Sequence, residues 1–432
     1  MAREYKDSGI EWIGQIPKEW EVIKLKHESQ FINGYAFDSN DFKLEGDVRV
    51  VRIGDIGFSI DWNNCIYVNN SAILLDAYKI CNGDILIAMS GATTGKCCLA
   101  TNIKEAYINQ RVGIIRSEKR KLVFFSLLAP YFKEYVNLNN AGSAQPNISS
   151  KAIGEFPLVM PKSLSEQQKI VDYLDKVCGE VDEMATLQET MIEELKAYKQ
   201  SVITEAVTKG LNPNVSMRDS GIDWIGEIPE HWDNCAPLKW FVNIILGKML
   251  QSDAKSSDDS LEDYICAKDV HFGGIEYSDL KKMYFSQEEK KQYKIQKGDM
   301  LVVEGGAGAA GASIVQTDID NIYIQNSIMI ARPARCVDIS YVCYSLFSLV
   351  SRGYVDYVCN KATIPHFTKE KLSKTVIALP PMDEQRIIAS FLDTKCSEID
   401  SLIALKQAKI EELKEYKKSV IYEYVTGKKE VI

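Results

Sequence analysis

Hydrophobic and polar positions follow two different patterns along the chain. Short apolar runs such as residues 84–89 (DILIAM) are separated by Gly, Asn and Asp turns over the first 160 or so residues, a pattern typical of strands. From about residue 165 to 208 there is no proline, and apolar residues recur at helical spacing. This change predicts a compact α+β domain followed by one long helix.

The whole pattern occurs twice. Residues 7–20 (DSGIEWIGQIPKEW) return at 219–232 with ten of fourteen identical, and residues 192–208 return at 410–426 with thirteen of seventeen identical. Such agreement indicates an internal repeat, so a second long helix is predicted over about 382–426. We expect four consecutive segments: a first domain at 1–162, a central helix at 163–210, a second domain at 211–380 and a distal helix at 381–432.

Apolar residues of both predicted helices fall on a heptad, which is typical of helices that pair in a coiled coil. A polar residue, Gln188 or Lys406, occupies the same position of each stripe and suits a layer that fixes register. The alternative, in which each stripe is one face of a globular core, is less favoured because two near-identical stripes share one chain. The predicted pairing residues are Ile170, Leu174, Val177, Val181, Leu195, Tyr198, Ile388, Leu392, Ile399, Leu413 and Tyr416.

Composition narrows the class of protein. With 432 residues, 46% of them hydrophobic and 26% charged, the chain predicts a soluble protein of two or three domains. No apolar run suits a membrane span or a signal peptide, so we expect a cytoplasmic protein. Eleven scattered cysteines and four histidines predict reduced thiols and no metal site. The net charge of −9 argues against indiscriminate coating of nucleic acid.

Residues 90–98 (SGATTGKCC) superficially match a phosphate-binding loop. A Walker loop needs four residues between its glycines and a hydroxyl after its lysine, whereas Gly91 and Gly95 are separated by three residues and Cys97 follows Lys96. The corresponding residues 305–313 (GGAGAAGAS) contain no lysine. We therefore predict a tight turn or a close backbone approach after a strand, not a nucleotide site.

The repeated opening, the segments SEQQKIVDYLD and DEQRIIASFLD after the proline junctions, and the repeated IEELKxYKxSVIxExVT resemble the specificity subunit of type I restriction-modification systems. The resemblance covers essentially the whole chain. It implies an α+β fold with two target-recognition domains held apart by two long helices in an antiparallel coiled coil, related by a pseudo-two-fold. It also implies a non-catalytic subunit, active in phage defence, that reads an asymmetric bipartite target in double-stranded DNA.

The resemblance further implies partners. The helices would dock two modification (methyltransferase) subunits, and a restriction subunit would join the full complex. This chain would hold no cofactor, whereas the partner subunits would use S-adenosylmethionine, ATP and magnesium. The alternative is a coiled-coil scaffold that organises protein partners without contacting DNA.

Candidate DNA contacts lie where the two repeats differ. Arginine pairs naturally with guanine, and asparagine or glutamine with adenine, although such amides equally cap turns or pair a sheet. The candidates are Thr93, Thr94, Lys96, Asn109, Gln110, Arg111, Gln145 and Asn147 in the first repeat, with Gln325, Asn326, Lys361 and His366 in the second. Further basic residues could steer phosphates or simply be solvated: Lys104, Arg116, Lys119, Arg120, Lys121, Lys281, Lys282, Lys290 and Lys291.

Catalytic motifs are not evident. The only Pro-Pro pair, Pro380 and Pro381, opens a predicted helix and does not suit the motif with which methyltransferases hold a flipped base. The nearest match to a nuclease motif, Glu194 with Lys196, lies on the long helix, where side-chain pairing explains it. The sequence therefore predicts a binding protein without catalytic residues.

Overall fold

A computed structural model describes residues 3–57, 59–69, 76–101, 103–140, 146–232, 234–335, 337–359 and 365–431. The chain divides into two compact units. Unit 1 comprises Met1–Glu189 with Gln407–Ile432, and unit 2 comprises Thr190–Lys406. Each unit therefore contains one repeat together with part of both long helices.

Unit 1 contains a main antiparallel sheet of four strands and several smaller sheets. Its strands are β1 (Tyr5–Asp7), β2 (Gln15–Pro17), β3 (Glu21–Lys24), β4 (Gln30–Asn33), β5 (Val48–Val51), β6 (Ile66–Val68), β7 (Ile85–Ala88), β8 (Cys97–Leu99), β9 (Ala106–Ile108), β10 (Val112–Arg116) and β11 (Pro157–Met160). Its helices are α1 (Leu25–Glu28), α2 (Arg120–Leu128), α3 (Pro130–Asn139), α4 (Ser150–Gly154), the first part of α5 (Leu164–Lys209) and the last part of α10 (Met382–Val425).

The main sheet of unit 1 has the order β4-β10-β7-β8, and a second sheet has the order β6-β5-β9 with β5 and β9 parallel. Strand β7 is buried on both faces, which explains its uninterrupted apolar sequence. Ile85 and Ile87 join a core with α2 and α3, while Leu86 and Ala88 join a second core with β9. The central sheet therefore separates two apolar layers.

Unit 2 repeats this plan. Its strands are β12 (Met217–Asp219), β13 (Glu227–Pro229), β14 (Asn234–Pro237), β15 (Val242–Leu246), β16 (Ser260–Ile265), β17 (Val270–His271), β18 (Gly274–Ile275), β19 (Lys281–Phe285), β20 (Met300–Val303), β21 (Ala312–Ile314), β22 (Ile322–Ile324), β23 (Ile328–Pro333) and β24 (Val376–Leu379). Its helices are the last part of α5, α6 (Gln287–Tyr293), α7 (Ile339–Ser351), α8 (Tyr354–Val358), α9 (Lys369–Lys374) and the first part of α10 (Met382–Val425). The main sheet has the order β15-β23-β20-β21, and β16 pairs in parallel with β22.

Helices α5 and α10 match the helices predicted at about 165–208 and 382–426 to within one residue at each end, and α10 ends before the predicted distal segment 381–432 does. Inside unit 1, Lys417 Nζ lies 2.7 Å from the Asp182 carboxylate, and the Tyr173 and Tyr424 rings are 4.4 Å apart. In unit 2 the pairs are Lys199 with Asp400 at 2.7 Å and Met191 with Lys406 at 3.1 Å. Within each unit the two helix segments therefore run antiparallel.

Most of the residues predicted to pair the two helices are shielded from solvent. Ile170, Leu174, Val181, Ile388, Leu392, Ile399 and Leu413 are buried, and Val177 and Leu195 are half-buried. Tyr198 and Tyr416 are exceptions, because they are 56% and 53% exposed. A strict heptad drifts around a straight helix by about 20° per repeat, so an extrapolated stripe leaves the seam over several turns.

The repeated opening motif joins each domain to the helices. Trp20 is buried in unit 1 and donates from Nε1 to Glu166 Oε1 at 3.1 Å, while Tyr422 Oη donates to the Trp12 carbonyl at 3.2 Å. The equivalent tryptophan of unit 2, Trp232, is also fully buried. The strongest sequence match between the repeats therefore has a packing role.

Within the residues described, no helix has the length and apolarity that a bilayer crossing requires. The ten described cysteines are free thiols, and six of them are buried. Burial raises the pKa of Cys98 to about 12, so this thiol stays protonated at neutral pH. The six buried cysteines act as small apolar core residues.

Candidate nucleic-acid interface

Three of the candidate segments of unit 1 meet at one end of strand β7. Met89 donates from its backbone nitrogen to the Arg111 carbonyl at 2.9 Å, and Ile148 donates to the Met89 carbonyl at 2.9 Å. Gly91 donates to the Pro146 carbonyl, also at 2.9 Å. We call residues 90–96, 109–111 and 146–148 the first reading surface.

The equivalent segments of unit 2 meet in the same way. Glu304 donates to the Ser327 carbonyl at 2.8 Å, Phe367 donates to the Glu304 carbonyl at 2.6 Å, and Gly306 donates to the Pro365 carbonyl at 3.2 Å. We call residues 305–311, 325–327 and 365–367 the second reading surface. The two surfaces share one backbone hydrogen-bond scheme.

Four polar side chains of the first reading surface point into solvent. Lys96, Gln110, Arg111 and Asn147 are exposed, and none of these side chains has a hydrogen-bond or ion-pair partner among the described residues. A polar side chain without an internal partner is free to bond to a ligand. The basic charges of Lys96 and Arg111 suit an anionic ligand.

Other candidates of this surface hold the loops together. Thr94 Oγ1 donates to the Gly91 carbonyl at 2.7 Å, and Asn109 Oδ1 accepts from the Gln110 nitrogen at 2.8 Å. These contacts match the alternative in which polar side chains cap turns. Thr93 Oγ1 is buried and has no partner among the described atoms.

The second reading surface is less polar. Gln325 accepts from the Ser327 nitrogen at 3.1 Å and donates to Asn326 Oδ1 at 2.5 Å, so both amides are engaged inside their own turn. His366 is exposed. Two candidates, Gln145 and Lys361, lie outside the described residues.

The loop after β7 in unit 1 and the loop after β20 in unit 2 share their backbone conformation at equivalent positions. Gly91 and Gly306 have φ of +76° and +93°, and Gly95 and Ala310 have φ of +83° and +64°. A short turn at Gly91–Thr93 leads into strand β8 and not into a helix, so the amides needed for a phosphate site are not arranged there. The predicted strand and small-residue turn are confirmed.

Two glycines that sequence analysis did not single out shape these surfaces. A Cβ atom on Gly34 would lie 2.0 Å from the Asn109 carbonyl oxygen, and one on Gly247 would lie 2.3 Å from that of Gln325. Only glycine permits this close passage of one backbone against the other. The available signal was a glycine at the same place, just after the first strand of the main sheet, in both repeats.

Arg116 was predicted as a residue that could steer phosphates, but it is paired within unit 1 and is not available for that role. Its guanidinium makes two bonds of 2.7 Å to the carboxylate of buried Asp84, and these bonds raise the pKa of Arg116. Arg332 and Asp299 repeat the arrangement in unit 2. Several predicted steering lysines also form ion pairs with acids of their own unit: Lys119 with Glu28, Lys121 with Asp175, Lys282 with Asp263 and Lys290 with Glu262.

Comparison with known proteins defines the class. The protein-family model that describes the type I restriction modification DNA specificity domain matches residues 17–197 and 241–415 of this chain. The chain belongs to this family and carries two copies of its domain.

Relatives and one solved structure span nearly the whole chain. The MjaX specificity subunit, assigned to a type I restriction enzyme of Methanocaldococcus jannaschii, is 25% identical over 96% of this chain and 95% of its own length. The EcoBI specificity subunit of Escherichia coli is 24% identical over 93% of this chain and 84% of its own. A chain solved in work on assembly and conformational transition of the type I R-M system shares the fold, with a TM-score of 0.69, 16% identity and coverage of 95% of this chain and 99% of that one.

Proposed function

We propose that this chain is the non-catalytic subunit that gives a type I restriction-modification complex its DNA sequence specificity. Unit 1 reads one half-site of a bipartite duplex target through the first reading surface, and unit 2 reads the other half-site through the second. One observation carries this proposal: three loops with different side chains meet on equivalent backbone positions of both units. Different readers on one scaffold require an asymmetric target.

The first reading surface has the chemistry of direct base readout. Arg111 suits the O6 and N7 atoms of guanine, and Gln110 or Asn147 suits adenine. Lys96 suits a phosphate, which positions the duplex without reading its sequence. These side chains are exposed and lack internal partners, so binding would break no contact within the described part of unit 1.

The second reading surface lacks these charges. Gly311 stands where unit 1 has Lys96, and Ser327 stands where unit 1 has Arg111. His366 replaces Asn147 and is the exposed polar side chain there. Unit 2 is therefore expected to recognise different bases and to draw less of its affinity from phosphates.

Partner docking is supported by exposed apolar residues at equivalent places of the two long helices. Unit 1 exposes Met184, Leu187 and Tyr416, and unit 2 exposes their counterparts Leu402, Leu405 and Tyr198, with exposed fractions from 47% to 67%. Apolar side chains exposed in two equivalent sets suit two copies of one protein partner. We propose that two modification subunits dock here and that they and the restriction subunit supply the chemistry with S-adenosylmethionine, ATP and magnesium.

A domain exchange tests this function. Residues 21–160 are replaced by the corresponding segment of a relative, the complex with the modification subunits is purified, and methylated sites are mapped across a genome. We expect one half-site of the methylated motif to change and the other to stay the same. A scaffold that does not contact DNA would instead leave the methylated motif unaltered.

A further inference from the structure

Two neighbouring apolar residues project from unit 2 just after strand β15. Met249 is 75% exposed and Leu250 is 59% exposed, and neither belongs to a hydrophobic cluster of this unit. Single exposed apolar residues are common on protein surfaces and need no explanation. Two consecutive exposed apolar residues on a fixed backbone, beside a candidate binding surface, do require an explanation. We call residues 249–250 the apolar tip.

The backbone on both sides of the apolar tip is held in place. Lys248 is only 7% exposed, and its Nζ donates to the Tyr284 carbonyl at 2.8 Å and to Glu289 Oε2 at 2.5 Å. After the tip, the Gln251 carbonyl accepts from the Tyr284 nitrogen at 3.1 Å. The tip is thus anchored by a buried cation, and the charge of that cation is neutralised inside the protein.

The apolar tip is continuous with the second reading surface. Asn326 donates from its backbone nitrogen to the Lys248 carbonyl at 2.8 Å, and Lys248 donates in turn to the Ile324 carbonyl at 3.1 Å. Gly247 passes against the Gln325 carbonyl, as described above. A duplex bound at residues 325–327 would therefore meet the tip as well.

The equivalent segment of unit 1 differs in the way that half-site readers should differ. Ala36 and Phe37 stand in place of Met249 and Leu250. Phe37 is half-buried, packs against the core around β5 and lies 5.0 Å from the Tyr35 ring. Unit 1 thus turns its large side chain inward at the position where unit 2 exposes two aliphatic ones.

We infer that Met249 and Leu250 contact the C5-methyl groups of thymine in the half-site read by unit 2. This inference rests on the proposed function. The thymine methyl is the apolar group that a base edge presents in the major groove, and aliphatic side chains recognise it. The exposed segment after the tip carries Asp253 and Asp258 against a single lysine, Lys255, and its net negative charge disfavours phosphate at this position. The tip therefore suits a base edge and not the DNA backbone.

The test uses the complex of the full chain with its modification subunits. Methylation profiling first identifies the target, and duplexes are then made in which each thymine of the second half-site is replaced by deoxyuridine, which lacks only the methyl group. For the unaltered chain we expect at least one such replacement to lower kcat/KM for methylation by roughly fourfold, the effect of one lost methyl contact. The variant Met249→Ala/Leu250→Ala should lose about as much on the thymine duplex and show no further loss on the deoxyuridine duplex.

Two controls accompany the test. Trp240→Ala removes another exposed apolar side chain, located before the start of β15, and should keep the deoxyuridine effect unchanged. Arg111→Ala alters the first reading surface and should likewise keep it. If the double variant folds poorly, Met249→Ser alone should lose part of the effect.

Three results would overturn the inference: a deoxyuridine effect of equal size in the unaltered chain and the variant, a second half-site without an A·T pair, or loss of the modification subunits from the variant complex. The last result would identify the tip as a protein-docking surface. In each case a bipartite methylated motif would leave the proposed function standing, whereas failure to find such a motif would reject the function itself.

Discussion

The two reading surfaces share one scheme of backbone hydrogen bonds but differ in the polarity and charge of their exposed side chains. In unit 1 the exposed side chains are Lys96, Gln110, Arg111 and Asn147, whereas unit 2 presents small residues, two amides bonded to each other and an apolar tip. The hydrogen bonds that bring the three loops together are nevertheless equivalent in both units. The backbone hydrogen bonds that set loop geometry are therefore shared by the two repeats, while the side chains that face outward differ.

The retained residues show which interactions the framework requires. Asp84 and Arg116 in unit 1 correspond to Asp299 and Arg332 in unit 2, and each pair forms a two-bond contact to a buried carboxylate. Removing one partner of such a pair would leave an uncompensated charge in the interior. These pairs lie at the end of β7–β10 and of β20–β23 away from the reading loops, so they hold the sheet while the loop residues can change.

The largest expected effect comes from breaking the helix seam in one unit only. Leu174 and its counterpart Leu392 are fully buried, in the core of unit 1 and of unit 2 respectively. Leu174→Asp should destabilise unit 1 and Leu392→Asp unit 2, each by about 3 to 5 kcal/mol, because a cavity and a buried charge are created together. Chemical denaturation, monitored by hydrogen exchange of the backbone amides of each unit, would show which unit unfolds first.

The matched control is Asp at an exposed helix position. Met184→Asp, at a residue that is 53% exposed, should change the free energy of unfolding by less than about 0.5 kcal/mol. Equal destabilisation of both units by Leu174→Asp would show that the two cores do not unfold independently.

The next effect concerns the partner-docking residues. Leu187→Asp should leave a complex with one modification subunit, since the equivalent set in unit 2 is intact, and Leu405→Asp should do the same. The combination should bind none, because an unpaired carboxylate in an apolar contact is costly. Native mass spectrometry of the copurified complex measures the stoichiometry. Retention of two subunits by the combined variant would contradict docking at these residues, and Leu187→Met with Leu405→Met serves as the conservative control.

A smaller effect distinguishes the two reading surfaces directly. Arg111→Ala should reduce discrimination at one base pair of the first half-site by about 1 to 3 kcal/mol, the range for a lost bidentate contact. Ser327→Ala, at the equivalent position of unit 2, should have less effect on its own half-site. Ser327 Oγ is already engaged, because it donates to Gln325 Oε1 within its turn and accepts from the Ala267 nitrogen at 3.0 Å. Methylation rates on single-substitution duplexes provide the measurement. Uniform weakening on every duplex would instead assign Arg111 to a phosphate.

The smallest effect tests the shared loop geometry. Gly95→Ala should destabilise unit 1 by about 1 to 2 kcal/mol, since φ is +83° and a Cβ would lie 3.1 Å from the Val136 side chain. Ala310→Gly should be neutral or stabilising by less than about 1 kcal/mol, because Ala310 already adopts φ of +64°. Thermal unfolding of the two variants gives the comparison. Destabilisation by Ala310→Gly as large as that by Gly95→Ala would show that the two loops differ.

Much of the fold could be predicted from the sequence because its signals are local or repeated. The absence of proline and the apolar spacing give α5 and α10 to within two residues. The repeat itself predicts two similar units. The convergence of residues 90–96, 109–111 and 146–148 could not be predicted, because it depends on the pairing of β7 with β10 and on a bridge between Ser90 and Asn147.

Individual roles at the candidate site were also hidden in the sequence. Nothing local distinguishes Arg111 from Arg116. The Arg111 side chain has no partner among the described residues, whereas Arg116 pairs with Asp84 only because β10 lies beside β7. Asn109 and Gln110 look equally suited to bases, yet one caps the turn and the other is exposed. Such distinctions depend on long-range contacts.

The most direct test of the central claim is genome-wide methylation profiling of complexes altered in one reading surface at a time. One complex carries Lys96→Ala, Arg111→Ala and Asn147→Ala, and the other carries Met249→Ala, Leu250→Ala and His366→Ala. We predict that the first set relaxes one half of the methylated motif and the second set relaxes the other half, with the spacing between the halves unchanged. Relaxation of both halves by either set, or of neither half by both, would contradict the claim that each unit reads its own half-site.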